Sequence, residues 1–334
     1  MPPPPDTDIA GLVVRDATSE DRSAILALCA SSLGWSEGDP NAAFFAWKHD
    51  ENAFGPSPAW VAVDPDGRIL GVRCFLRWRF RDPTGRPVEA VRAVDTATHP
   101  DARGRGVFRR LTLGALPELE QQAVAFVFNT PNDQSRPGYL AMGWQAVGRV
   151  PLGVRPSGVR ARLRPSETAW TGAAKWSVAT DVGTSPREAF ADDEAVAALL
   201  RSLPAQRGLT TDRSAAFLRW RYGFEPLSYR VLPVGRDLAE GAIVFRLRRR
   251  GRRLDATICE ELLPRRRAVE RAYGSLARAT GADLLVRAQP TALGRGPFVR
   301  VARLGPILTW MPLDRRTVPS LGDLSLTSGD LELF

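Results

Sequence analysis

Long apolar runs are missing from this chain: no uninterrupted stretch approaches the ~20 residues needed to span a membrane. The start, MPPPPDTD, has neither a basic segment nor an apolar one, which excludes a secretory signal and reads as a short disordered tail over 1–8. Cysteine is scarce, and Cys29, Cys74 and Cys259 are too far apart to form a metal-ligand pattern or a disulfide framework. Each lies in an apolar segment, so buried structural thiols in a reducing cytoplasm are expected. Lysine is almost absent: Lys48 and Lys175 are the only two, and arginine carries the rest of the formal charge of +9. That skew fits a coding bias more than a site. The dense runs Arg246–Arg253 and Arg265–Arg267 flank predicted strands without interleaved aromatics, which argues for solvated edges and against nucleic acid.

What is present is ordinary globular composition, 44% hydrophobic and 25% charged over 334 residues, enough for two domains with real cores. Leu12–Arg15 reads as a strand and is followed by a helix capped at Thr18 or Ser19 and ended by Gly34. Ala59–Val63 and Ile69–Trp78 form strands joined at the turn Asp64-Pro-Asp-Gly67. After the turn at Asp82-Pro-Thr-Gly85 come a strand over Val88–Thr98, a glycine-rich loop, a helix over Phe108–Gln121 and a strand over Ala123–Phe128. The stretch 154–174, rich in Pro, Gly, Arg and Ser, reads as a connection between a first domain over 9–153 and a second over 175–334. In the second half, helices over Asp192–Leu203 and Ser214–Arg221 precede strands at Tyr229–Val234, Gly241–Arg248 and Leu254–Leu262, then a helix over Ala268–Thr280 and a strand over Ala282–Arg287. The order strand, strand, strand, helix, strand thus occurs twice, which predicts two diverged copies of one α/β fold.

The chemistry concentrates between Val94 and Trp144. A strand ending near Thr98 runs through His99-Pro100 into Arg103-Gly104-Arg105-Gly106 and then a helix beginning Val107-Phe108. Glycines let amides converge without Cβ obstruction, and a helix start adds unpaired N–H groups and a positive dipole end. A diphosphate fits that place, with Arg103 and Arg105 adding charge. Beyond the next strand, Asn132, Ser135, Tyr139, Gly143 and Trp144 recur at fixed intervals.

Together these two segments resemble the GNAT superfamily of N-acyltransferases. The signature Arg/Gln-x-x-Gly-x-Gly/Ala falls on Arg103, Gly106 and, with a larger side chain, Phe108. The signature Asn-x-x-Ala/Ser-x-x-x-Tyr-x-x-x-Gly-Phe/Trp falls on Asn132, Ser135, Tyr139, Gly143 and Trp144. The resemblance implies two tandem GNAT-like domains, each a mixed, mostly antiparallel sheet flanked by helices, and transfer of an acetyl or other acyl group from acetyl-CoA or another acyl-CoA to an amine, with no metal. The acceptor would be a small molecule or peptide, and a homo-oligomer is left open. Backbone groups of Asp95, Thr96 and Ala97 would hold the pantetheine arm, with Asn132 and Ser135 beside it. The amides from Arg103 through Gly104, Arg105, Gly106 and Val107 to Phe108 would hold the diphosphate. Tyr139 would protonate the departing thiolate, a role that suits a phenol because its ordinary acidity is close to that of an alkyl thiol.

Two departures bear on this reading. Phe108 replaces a small residue and either packs beneath the loop or crowds the phosphate. The strand segment Ala90-Val-Arg-Ala93 lacks the carboxylate that serves several relatives as base. Glu89, Asp95 and His99 are neighbours, each with an ordinary structural alternative. A further candidate comes from the tandem group related to the enhanced intracellular survival acetyltransferases, whose terminal carboxylate is the base; here that is Phe334, in an apolar terminus that would equally suit an edge strand. The second half carries Leu263-Pro-Arg-Arg-Arg-Ala268 where the loop would be; without glycine it is expected to bind no CoA. Two other readings stand beside the enzyme: a non-catalytic acyl-CoA sensor or scaffold, and a transferase using aminoacyl-tRNA. Trp35, Trp47 and Trp60 either line an acceptor pocket or belong to the core.

Overall fold

The computed structural model describes residues 11–157, 174–265, 269–289, 297–314 and 316–331. They form two compact units, the first from residues 1–80, 87–147 and 308–318, the second from 81–86, 148–307 and 319–334. In chain order the first holds β1 (Val13–Asp16), α1 (Arg22–Leu33), α2 (Asn41–His49), β2 (Ala59–Val63), β3 (Ile69–Arg81), β4 (Pro87–Thr98), α3 (Val107–Gly114), α4 (Leu116–Gln121), β5 (Phe126–Asn129), α5 (Arg136–Ala141) and β6 (Gln145–Arg149). There follow β7 (Leu152–Pro156), α6 (Pro186–Ala189), α7 (Asp193–Ser202), β8 (Thr210–Thr211), α8 (Ala215–Tyr222), β9 (Arg230–Pro233), β10 (Ala242–Arg250), β11 (Arg253–Leu262), α9 (Val269–Thr280), β12 (Leu284–Ala288), β13 (Val299–Val301), β14 (Ile307–Pro312) and α10 (Ser328–Leu331).

The two sheets repeat one plan. The first runs β1-β2-β3-β4-β5-β14-β6, and the second runs β9-β10-β11-β12-β7-β13. In each, one parallel pair interrupts an otherwise largely antiparallel order: β4 with β5, and β11 with β12. The doubled order read from the sequence is therefore present as two mixed sheets flanked by helices.

The units are not consecutive in sequence, unlike the division at 153 and 175. β7 follows β6 in the chain yet pairs with β12 and β13 of the second sheet. β14, from the last tenth of the chain, pairs with β5 of the first. Packing holds β14 there: Trp310 stacks on Phe126 at 3.7 Å, and the Thr309 hydroxyl donates to the Asn129 side chain.

Helices cover both faces of the first sheet. One face of the first sheet carries Val91, Ala93 and Phe75 against Leu111, Tyr139 and Trp144. The other carries Val61, Val72 and Cys74 against Ile25, Leu28, Cys29 and Phe45. All three cysteines are free and buried. Trp47 and Trp60 are core residues, and Trp35 packs half-buried against the α1 cluster. The single helix expected over 108–121 is two, α3 and α4, because Pro117 stands where a continuous helix needs an N–H.

In the second unit a buried network ties α10 to the sheet. Arg213 bonds Glu260 at 3.0 Å and Asp330 at 3.1 Å, and Tyr222 donates to Glu260 at 2.8 Å. Burial raises the Glu260 carboxyl above its usual range, against the pull of Arg213.

Candidate active site

The site begins where two strands part. β4 and β5 pair in parallel at Ala90↔Phe126, Val91↔Val127 and Arg92↔Phe128, and the pairing ends there. β4 continues to Thr98, whereas β5 ends at Asn129. A wedge opens beyond Arg92, edged by main chain that β5 does not reach.

Within the wedge β4 carries a left-handed residue, Asp95, at φ 43°. Its effect is visible in the faces. Val91 and Ala93 point into the α3–α5 core, but Ala97, of the same parity, joins the α1–α2 core. One slipped residue reverses the alternation, as a bulge does. Thr96 therefore meets Arg73 on the Tyr139 side, and Asp95 turns to α2.

Below the wedge lies the turn into α3. Gly104 and Gly106 hold φ of 72° and 71°, a region open to glycine at no steric cost. The amides of Gly104, Arg105 and Gly106 find no acceptor among the described residues, and no side chain caps α3. Arg103 and Arg105 extend exposed beside them, without a carboxylate partner among the described residues. An uncapped helix start with unoccupied amides beside two exposed guanidiniums is electropositive. Gly71 lets α3 lie close on β3: a Cβ there would stand 2.5 Å from Val107 and 2.8 Å from Leu111.

Phe108 does not roof this turn. Its ring meets the Tyr139 ring edge-on at 5.3 Å and lies against Gly138, leaving only 3.1 Å for an added Cβ there. Asn132 and Ser135 organise the start of α5. The Asn132 carbonyl accepts from the Gln134 amide at 3.1 Å, the Ser135 amide at 2.8 Å and the Ser135 hydroxyl at 2.9 Å.

Tyr139 is buried between Phe108 and Trp144, and its phenol oxygen accepts a 2.7 Å hydrogen bond from Arg73. Arg73 is fully buried, and Phe75, Tyr139 and Phe108 surround its guanidinium at 4.7, 5.3 and 5.7 Å. It also donates to Thr96, while its Nε and Nη2 have no partner among the described residues. No carboxylate among the described residues lies in salt-bridge reach of it. A desolvated cation with unspent donors is costly and makes the spot receptive to negative charge.

On the opposite face Asp95 sits between two basic side chains of α2. Lys48 forms an ion pair with it, and His49 Nε2 lies 2.7 Å from Oδ2. Lys48 and His49 are buried, Lys48 fully, and the Asp95 side chain is 5% exposed. Phe44 lies under the Lys48 ammonium at 4.6 Å, and Phe45 against the His49 ring at 4.3 Å. Burial alone would raise the Asp95 carboxyl, but Lys48 first and then His49 overcome it and hold the group well below the usual carboxylate range. Burial also lowers the His49 imidazole, in spite of the opposing bond to Asp95.

Among the other acids and bases considered, Glu89 is paired with Arg79 at 2.6 Å at the far end of β4. His99 accepts from the Asp101 amide at 3.3 Å as the cap of a short turn. Phe334 lies outside the described residues, as do residues 1–8 and the Arg266–Ala268 part of the second-half loop. Arg73 and α2 with Lys48 and His49 were not singled out from sequence. In α2 the sequence pointed only to Trp47, and Lys48 is one of just two lysines in the chain.

This parted-strand sheet, with a glycine turn before its helix, has the form of an acyltransferase-type domain. Residues 13–147 match the family model of the acetyltransferase (GNAT) domain, so the first unit carries a GNAT acetyltransferase domain, a fold that supports acyl transfer. No curated protein matches the chain. Among solved structures, a probable N-acyltransferase from Enterococcus faecalis V583 is similar at TM-score 0.63 and 14% identity, over 90% of this chain and 73% of that one. A GCN5-related N-acetyltransferase from Anabaena variabilis ATCC 29413 gives TM-score 0.61 and 14% identity, over 91% and 73%. Eis1 from Mycobacterium abscessus gives TM-score 0.56 and 13% identity, over 91% and 74%. At these identities the likeness is one of fold. Among the described residues no helix is long and apolar enough to cross a membrane.

Proposed function

We propose that the first unit transfers an acyl group, acetyl in the simplest case, from acyl-CoA to the amine of a small molecule or peptide by direct attack, with Tyr139 as general acid. The observation that carries this reading is the Arg73–Tyr139 bond: the phenol oxygen accepts, so its own hydrogen is left to be given away. The amides from Gly104 to Phe108, with Arg103 and Arg105, would hold the diphosphate. Main-chain groups of Asp95, Thr96 and Ala97, on the strand that β5 leaves, would hold the pantetheine. Bound there, acyl-CoA supplies an activated thioester.

In the displacement, the amine nitrogen bonds to the acyl carbon and the carbon–sulfur pair leaves with sulfur. Tyr139 gives that sulfur its proton, and the phenolate so formed lies beside the Arg73 guanidinium. Free N–H groups on the parted strand would support the oxyanion. Asn132 and Ser135 fix the helix that carries Tyr139. The second unit, with no glycine in Leu263–Ala268, is read as binding no CoA. A reducing cytoplasm fits the three buried thiols.

The test is thiol release from acetyl-CoA with a panel of amines. Tyr139→Phe should lose about 10²-fold or more in turnover while binding acetyl-CoA as the wild type does. Tight binding of acetyl-CoA without turnover on any amine would instead make this an acyl-CoA sensor.

A further inference from the structure

We infer that His49 is the general base that removes the amine proton, with Asp95 orienting its imidazole and Lys48 fixing Asp95. The inference rests on the acyl-transfer reading above and supplies the one group that reading lacks.

Thr96, Arg73 and Tyr139 gather on the α3–α5 face; the next residue back, Asp95, meets Lys48 and His49 on the α1–α2 face. The bulge thus puts an acid system and a base system on opposite sides of one strand, a single residue apart. Acyl transfer needs a base at the amine nitrogen and an acid at the sulfur, two different atoms bonded to one tetrahedral carbon.

The protonation pattern follows from the partners. Asp95 is ionised and can only accept, so His49 Nε2 carries the hydrogen between them. The lone pair of a neutral imidazole is then on Nδ1, which is buried and has no partner among the described residues. A resting imidazolium would need an acceptor at Nδ1 and would stand near the Lys48 ammonium; burial acts in the same direction, keeping the ring neutral. Once a proton arrives, the adjacent Asp95 carboxylate stabilises the cation, the logic of a histidine held by a buried acid.

Among the described residues, Asp50, Cys29 and Cys74 also stand near this cluster. Asp50 follows His49 and is paired with Arg22 at 2.7 Å. Cys29 on α1 and Cys74 on β3 stand near Asp95; burial first, then the Asp95 charge, pushes the Cys29 thiol up to about 12 and Cys74 well above its usual value. Neither thiol titrates where His49 would. In the full step the ammonium form of the acceptor gives one proton to Nδ1, directly or through one water, and the nitrogen pair so freed bonds the acyl carbon. Tyr139 protonates the leaving sulfur, its phenolate takes the second N–H proton from the adduct, and exchange with solvent resets His49.

The experiment is the pH profile of kcat/KM for acetyl-CoA and a series of amines of differing basicity, for wild type and His49→Gln, with acetyl-CoA affinity measured in parallel. In the wild type the acid limb should stay fixed across the series, below the ordinary imidazole range. His49→Gln should keep acetyl-CoA affinity, lose about 10²-fold near neutrality and recover at alkaline pH, where the amine arrives unprotonated. A wild-type limb that moves with the basicity of the amine overturns the assignment without needing any variant to fold. So does a His49→Gln defect of equal size at every pH, or no defect at all. Absence of wild-type turnover on any amine overturns the acyl-transfer reading itself, and the base with it.

Discussion

Arg73 and Tyr139, 66 positions apart in the chain, meet in a buried 2.7 Å hydrogen bond in which the guanidinium donates to the phenol oxygen. No carboxylate among the described residues compensates that cation, so its place in the core is an expense of function rather than a contribution to stability. Arg73→Met is expected to keep or raise the melting temperature. Turnover should fall by about ten-fold or more, the scale of one lost charged hydrogen bond of ~1.5–3 kcal/mol. Calorimetric melting and thiol release measured together decide it; a lower Tm with turnover intact contradicts the reading.

Gly106 is needed for its backbone. At φ 71° an alanine costs about 1–2 kcal/mol, and relieving that strain would turn the amides away from their common focus. Gly106→Ala should therefore raise the KM for acyl-CoA several-fold with little change in kcat. Steady-state kinetics with the amine saturating separates the two.

Asp95→Asn removes the anion from between Lys48 and His49. The ammonium left buried and unpaired should cost about 3–5 kcal/mol, read from denaturant unfolding. Adding Lys48→Met should restore part of that loss. Simple additivity of the two substitutions would mean that the pair is not coupled.

Acid should weaken the protein in two stages. His49 titrates lower in the folded chain than in the unfolded one, so stability falls as pH drops below about 6.5, the unfolded imidazole value. Asp95 is also depressed; its contribution is full above the ordinary carboxylate range and is lost as pH falls below about 4. Melting temperature against pH should show both losses, and His49→Gln should flatten the first alone. An unchanged first stage in that variant would assign it to another group.

The strands at 59–63, 69–81 and 87–98 and the glycine turn were legible because their signals are local: tight turns at Gly67 and Gly85, and glycines before a helical pattern. The short helix bearing Tyr139 was legible as well. Helix α2 was less so, because its run of Phe44, Phe45, Trp47, Lys48 and His49 is buried nearly all round and shows no polar stripe.

By itself, then, the amino-acid order determined the doubled succession of elements, the glycine turn before α3 and the short helix that carries Tyr139. Each depends on residues only a few positions apart. The tertiary structure decided three matters that distant residues settle together. It sent β7 and β14 to sheets that their neighbours in the chain do not share, since a short strand carries too little pattern to choose an edge. It buried Arg73 against a tyrosine far along the chain. It also reversed the faces of β4 at Asp95, a slip invisible in Ala93-Val-Asp-Thr-Ala-Thr98, where small side chains suit either face until Lys48 and His49 claim one of them.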